Sequence, residues 1–119
     1  MTDSTVNDLV ASAAHVGRHA ASIEQGLFEH GQKKSDDIHH LGDDTGRLVT
    51  RAYSAGGAAG AADVIDSYLA AFNRVRSENG RAELSAHDAI DNLQWAIVDD
   101  GITRTEQYEV RAEFARRHP

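Results

Sequence analysis

Two histidines four residues apart, His15 and His19, are the first side chains in this chain that could hold a metal ion. On a helix that spacing puts both imidazoles on one side, and His30, His39 and His40 could join them if a second helix folds back along the first. The pattern stops short of a metal motif. Neither HExxH nor the paired Glu and ExxH signature of di-iron bundles occurs, and the pair falls on the polar side of the heptad wheel. Solvated histidines are therefore the expectation, with a His-linked metal-binding bundle as the alternative and no cofactor assigned.

Carboxylates occur in adjacent pairs, Asp36-Asp37, Asp43-Asp44 and Asp99-Asp100, the residue types that hold Mg²⁺ or share a proton in acid–base chemistry. Acids near a helix N-terminus are favoured by the dipole, which accounts for Asp36-Asp37. Asp99 and Asp100 precede Gly101 at the expected end of a helix, where the dipole disfavours them, so they have the better claim to a role in binding. Gly56-Gly57-Ala-Ala-Gly60 has the composition of a phosphate-cradling loop, but no strand leads into it, no lysine follows, and the spacing is not GxGxxG. There is no GxSxG, no cysteine and no Ser-His-Asp order, so no catalytic residue is assigned and an enzyme is not expected.

Basic chemistry is concentrated at the C-terminal end. Arg104, Arg111, Arg116 and Arg117 lie on one predicted helix, joined to the preceding one by Asp-Asp-Gly-Ile-Thr, an arrangement with the length and turn of a helix-turn-helix. Glu106, Glu109 and Glu113 share that helix and neutralise much of the field that phosphate contact needs. Pairing of these arginines with those acids is the expectation, and a DNA-binding regulator is the alternative. Trp95 and Val98 fall on the face of their helix that carries Asp88 and Asp91, away from its apolar stripe, so Trp95, Val98, Asp99 and Asp100 form the candidate protein interface.

The elements that must position these groups read as helices throughout. From Thr5 to Gly31, Leu9, Val16 and Ile23 alternate with Ala13, Ala20 and Leu27 at heptad spacing, flanked by Val10, Ala14, Gly17, Ala21 and Phe28. The small residues of that seam invite close approach by a partner backbone, internal or from another copy. A second helix starts after Ser35, with Ile38, Leu41, Leu48 and Ala52 out of step with the first heptads. Ser54 to Ala62 reads as a connection, and Val64, Ile65, Tyr68, Leu69, Phe72 and Val75 mark a third helix closed by Asn79-Gly80. Ser85 with Asp88 opens a fourth carrying Ala89, Ile90, Leu93, Ala96 and Ile97. Thr103 with Glu106 is a capping box for a fifth carrying Tyr108, Val110, Ala112 and Phe114, with Ile102 as its staple. The fold class is all-α, a bundle of about five helices around a long N-terminal central helix. Residues 1–119 form one helical domain, with a division into a core at 1–80 and a C-terminal helix pair at 81–119 as the alternative.

Composition bounds the rest. The formal charge of -7 opposes nucleic acid at long range, so a nucleic-acid partner is not expected. The absence of cysteine fits a reducing compartment, and the start of the chain resembles no signal peptide, while no apolar run is long enough to cross a bilayer. A cytoplasmic protein without a membrane partner is the expectation. Arginine replaces lysine nearly everywhere except Lys33 and Lys34, a bias associated with high-GC bacteria and their phages. In size and helical character the chain resembles the small secreted helical-hairpin proteins of actinobacteria, but their Trp-x-Gly turn is absent. Its tryptophan stands in Trp95-Ala96-Ile97, and Tyr108 is followed four residues on by Ala112 instead of an acid. The resulting reading is an acidic helical module that binds another protein, as an accessory, immunity, inhibitor or phage-encoded factor, and that self-associates as a homodimer.

Overall fold

A computed structural model describes the backbone of residues 4–30, 35–91 and 102–119, and side chains within 5–25, 45–90 and 102–119. Among the described residues there are four helices and no strand: α1 (Ser4–His30), α2 (Ser35–Glu78), α3 (Ala86–Asp91) and α4 (Arg104–Arg117). The all-α class is as expected, but the number of helices and the central element differ. The second and third predicted helices run into one 44-residue element, and it is α2, not α1, that touches all the others.

The reason lies at Gly57. It is the one residue of α2 with non-helical dihedrals, φ 67° and ψ -161°, in a region that side chains essentially exclude. A straight helix of 44 residues would be about 66 Å long at ~1.5 Å per residue, whereas the longest extent of the molecule is 43 Å. So α2 folds back on itself. A methyl group on Gly60 would stand 2.9 Å from the carbonyl oxygen of Ala52, which shows how tightly the two limbs meet. The connection read from Ser54 to Ala62 thus contracts to a single residue, because the alanines on both sides favour helix and only Gly57 escapes it.

The limbs pack on α1 in opposite senses. Residues 35–56 start beside the C-terminal end of α1 and finish at its N-terminal end, where Gly56 approaches Val6. Residues 58–78 then return parallel to α1: Ser67 Oγ donates to the Val10 carbonyl at 2.7 Å, Tyr68 lies against Gly17, and Arg76 grips Glu24. The three limbs enclose a core of Leu9, Ala13, Val49, Ala52, Val64 and Ile65, with Ala20, Ala21 and Phe72 as a second cluster.

The centre of the α1 seam is displaced by one residue from the heptad reading. Gly17 is buried and Val16 and Ile23 are only half-buried, while Leu27 and Phe28 lie outside the described side chains. A methyl group on Gly17 would come within 2.4 Å of the Tyr68 carbonyl oxygen and 3.2 Å of Ala71 Cβ. Backbone against backbone is the closest packing two helices can reach, and small residues take the centre of the stripe because anything larger is excluded.

Helix ends follow the local signals closely. Gly80, at φ 70°, closes α2 with Arg81 N–H on the Arg76 carbonyl at 2.9 Å and Gly80 N–H on Ser77 at 3.1 Å, the paired bonds of a Schellman motif. Asn73 then pins the chain beyond it: Leu84 N–H donates to Asn73 Oδ1 at 2.7 Å and Asn73 Nδ2 donates back to the Leu84 carbonyl at 2.9 Å. Ser85 Oγ accepts Asp88 N–H at 3.1 Å to start α3, whose Ala89 and Ile90 are buried as expected. The Thr103–Glu106 capping box of α4 is complete. Its predicted staple is not: Ile102 enters the main core, and the residue it would have met is Gln107, whose amide contacts the Ile102 carbonyl at 3.4 Å.

Candidate functional site

On α4 the described side chains divide into an inner stripe of Val110 and Phe114, both buried, and an outer face where Tyr108 is 63% exposed. Tyr108 and Ala112, read from the sequence as part of the apolar face, point outward, because α4 rests on α2 along one narrow line. Around that line the polar groups close a clasp. Arg117 donates from Nε to Glu113 Oε2 at 2.9 Å, and from Nη1 to Asp63 Oδ1 at 2.7 Å and Asp66 Oδ2 at 2.9 Å. His118 Nε2 lies 2.6 Å from Asp66 Oδ1, and its ring packs on Phe114 with centroids 4.5 Å apart. Arg116 holds Glu113 from the other side at 2.5 Å.

The charges respond to these contacts. Arg116 first and Arg117 second hold the Glu113 carboxyl below its ordinary range. Burial works against the charge of Arg117, but its hydrogen bonds to Asp63, Asp66 and Glu113 outweigh that and raise its pKa. At the other edge of α4 the Tyr53 hydroxyl donates to Glu109 Oε2, and that hydrogen bond, ahead of burial, pushes the phenol up to about 12.

These contacts decide the fate of the four arginines proposed for phosphate. Arg116 and Arg117 are engaged by carboxylates of the fold, Arg111 is half-buried, and Arg104 is exposed at the start of the helix. Pairing of arginines with Glu113 three and four residues earlier was legible in the sequence; the reach of Arg117 to Asp63 and Asp66, more than fifty residues away, was not. The turn of the proposed helix-turn-helix falls largely outside the described residues, as do Trp95, Val98, Asp99 and Asp100 of the proposed interface.

His15 and His19 are both exposed on α1, and His30, His39 and His40 lie outside the described side chains. Among the described residues no group of three or more His, Asp or Glu side chains is placed to hold a metal ion. No helix among them is long and apolar enough to cross a membrane.

Beside the clasp an open groove of about 850 Å³ runs along the second limb of α2, over Leu69 and Ala70, between His118 on one side and Glu83, Leu84 and Ser85 on the other. His118 and Asp66 are the base and orienting acid of a catalytic dyad in residue type only. Asp66 is held by His118 on one oxygen and Arg117 on the other, and the Ser85 hydroxyl that lines the same groove is the cap of α3. Asp66 with Arg117 and His118 fastens α4 to α2, and Asn73 with Leu84 fastens the segment before α3 to it.

A second ionic contact secures the far end of the bundle. Arg76 makes a bidentate pair with Glu24 at 2.8 and 2.9 Å, donates to the Ala82 carbonyl at 3.2 Å and lies 5.2 Å over the Phe72 ring. Arg81 donates to Gln25 Oε1 at 2.9 Å beside it. Against protein families, curated proteins and solved structures alike, no match to this chain is found.

Proposed function

We propose that the protein is a small acidic interaction module that acts by binding another protein, as an inhibitor, immunity or accessory factor. The observation that carries this reading is the net charge of -7, which makes the chain as a whole acidic. Among the described side chains Asp8, Glu78, Glu83 and Asp88 are exposed, alongside the exposed arginines Arg18, Arg47, Arg51, Arg74 and Arg104. The net negative charge steers toward a basic protein and repels phosphate.

The Ala-rich seam of α1 is filled by α2 and offers no free face to a second copy. Among the described residues Tyr108 is an exposed aromatic from which a contact can be reported. A photo-crosslinking analogue at Tyr108, irradiated in extract of the native cells, should give a discrete protein adduct that disappears when Glu78 and Glu83 are changed to lysine. DNA retention that weakens with salt and with Arg104→Ala and Arg111→Ala would instead replace this reading with a DNA-binding regulator.

A further inference from the structure

We infer that Gly57 is an exchange hinge: α2 straightens through it into one continuous helix, and two chains then swap their halves to form a dimer. Three observations meet at this residue. Helical hydrogen bonding runs on both sides of it, so a single pair of dihedrals separates the folded-back α2 from a straight one. Those dihedrals, φ 67° and ψ -161°, are tolerated by glycine and strained for any other residue. A turn of one residue is also the shortest hinge a hairpin of helices can have, and short hinges under strain favour exchange between chains.

The contacts across the hinge make the exchange feasible. Val10 with Ser67, Gly17 with Tyr68, Glu24 with Arg76, Gln25 with Arg81 and Tyr53 with Glu109 each join a residue before Gly57 to one after it. Every one of them can be made between two copies with unchanged geometry. No free apolar face is needed, because the interface of the dimer is the core of the monomer. Residues 1–56 of one chain then pack on residues 58–119 of its partner, and straightening Gly57 adds helical bonding that the folded-back turn lacks.

Substitution of Gly57 by alanine tests the hinge without a steric complication, since a methyl group there meets nothing within 4 Å. The same holds at Gly80, φ 70°, which closes a helix and connects to no second limb, so Gly80→Ala is a matched control for backbone strain alone. Light scattering after chromatography should show Gly57→Ala with a dimer fraction at least about tenfold above wild type at equal concentration, following from strain of the usual size for such a residue. Gly80→Ala should remain at the 12.9 kDa monomer mass.

Because the chain has no cysteine, spin labels at Arg51→Cys and Arg74→Cys report the shape of α2 directly. Diluted with excess unlabelled chain, the dimer should give an intrachain separation of about 35 Å for a continuous helix, against less than about 20 Å when the limbs are folded back. A dimer that keeps the short distance, or a Gly57→Ala protein as monomeric as Gly80→Ala, overturns the inference. Should Gly57→Ala not fold, insertion of three glycines after Gly57 in the otherwise wild-type chain decides. Refolded at high concentration, wild type should yield dimer and the insertion variant should not, and equal dimer fractions refute the hinge.

Discussion

Two contacts of the second limb of α2 are built from opposite materials. Where α1 meets the second limb of α2, Ala13, Gly17, Ala20 and Ala21 are buried and small enough to bring backbones into touch. Where α4 meets the same limb, two large side chains, Val110 and Phe114, are inserted, and a ring of charges from Arg117, Glu113, Asp63, Asp66 and His118 closes around them. The first contact excludes water by shape over most of its length, with the Arg76–Glu24 pair at its far end as its ionic part. The second divides its stability between a pair of apolar anchors and an array of partly exposed ion pairs, which are individually weak and screened by salt. The molecule is therefore expected to be stiff along α1 and α2 and separable at α4.

The largest effect should come from the anchor. Phe114→Ala removes the largest fully buried side chain among the described residues and should cost about 3 kcal/mol, measured by denaturant unfolding, with α4 lost before the rest. The stiff contact is tested most sharply by Gly17→Ala, because two effects compete there. Helix propensity alone predicts a gain of about 1 kcal/mol, whereas a methyl group 2.4 Å from the Tyr68 carbonyl oxygen predicts a loss. Main chain on both sides leaves little to give way, so a net loss of about 2 kcal/mol is expected. A stabilised Gly17→Ala protein would mean that the helices do not approach so closely.

Arg117→Ala should cost less, about 1 kcal/mol, and the cost should shrink on adding salt. Its effect distinguishes the two contacts, since no salt dependence is expected at Gly17. The smallest effect concerns Tyr53. Its folded-state pKa is raised to about 12 by the hydrogen bond to Glu109, so the contribution of this contact is complete below the ordinary tyrosine pKa near 10 and is lost as pH rises through the folded value. Unfolding curves of wild type and Tyr53→Phe should accordingly differ at neutral pH and converge in strong alkali.

How much of this was legible in the sequence depends on the range of the interaction. The caps were, because Ser85 with Asp88, Thr103 with Glu106 and Asn79-Gly80 act on their own neighbours. The apolar stripe of α1 was legible to within one residue. A heptad repeat advances by 3.5 residues per turn and favoured Val16; Leu9, Ala13 and Ala20 are buried as that spacing requires, but Gly17 takes the place of Val16, and only the partner's backbone makes glycine the centre. The Gly-rich stretch from 54 to 62 announced a reversal without its size, since alanine continues a helix as readily as it fills a loop. On α4, periodicity favoured Tyr108 as a core residue, and its exposure follows from the narrow inner line along which α4 meets α2 and α3. Of the clasp, Glu113 with Arg116 and Arg117 was visible as local charge spacing, whereas Asp63 and Asp66 became partners only through the fold.

The contrast between a stiff helical frame and a separable α4 is tested most directly by native-state amide hydrogen exchange read at four residues. Val64 and Ile65 report the frame, and Val110 and Phe114 report α4. The frame amides should exchange only through global unfolding, while those of α4 should exchange through a smaller opening with weaker denaturant dependence that becomes easier as salt is added. Exchange of all four amides at one common free energy, unaffected by salt, would contradict it.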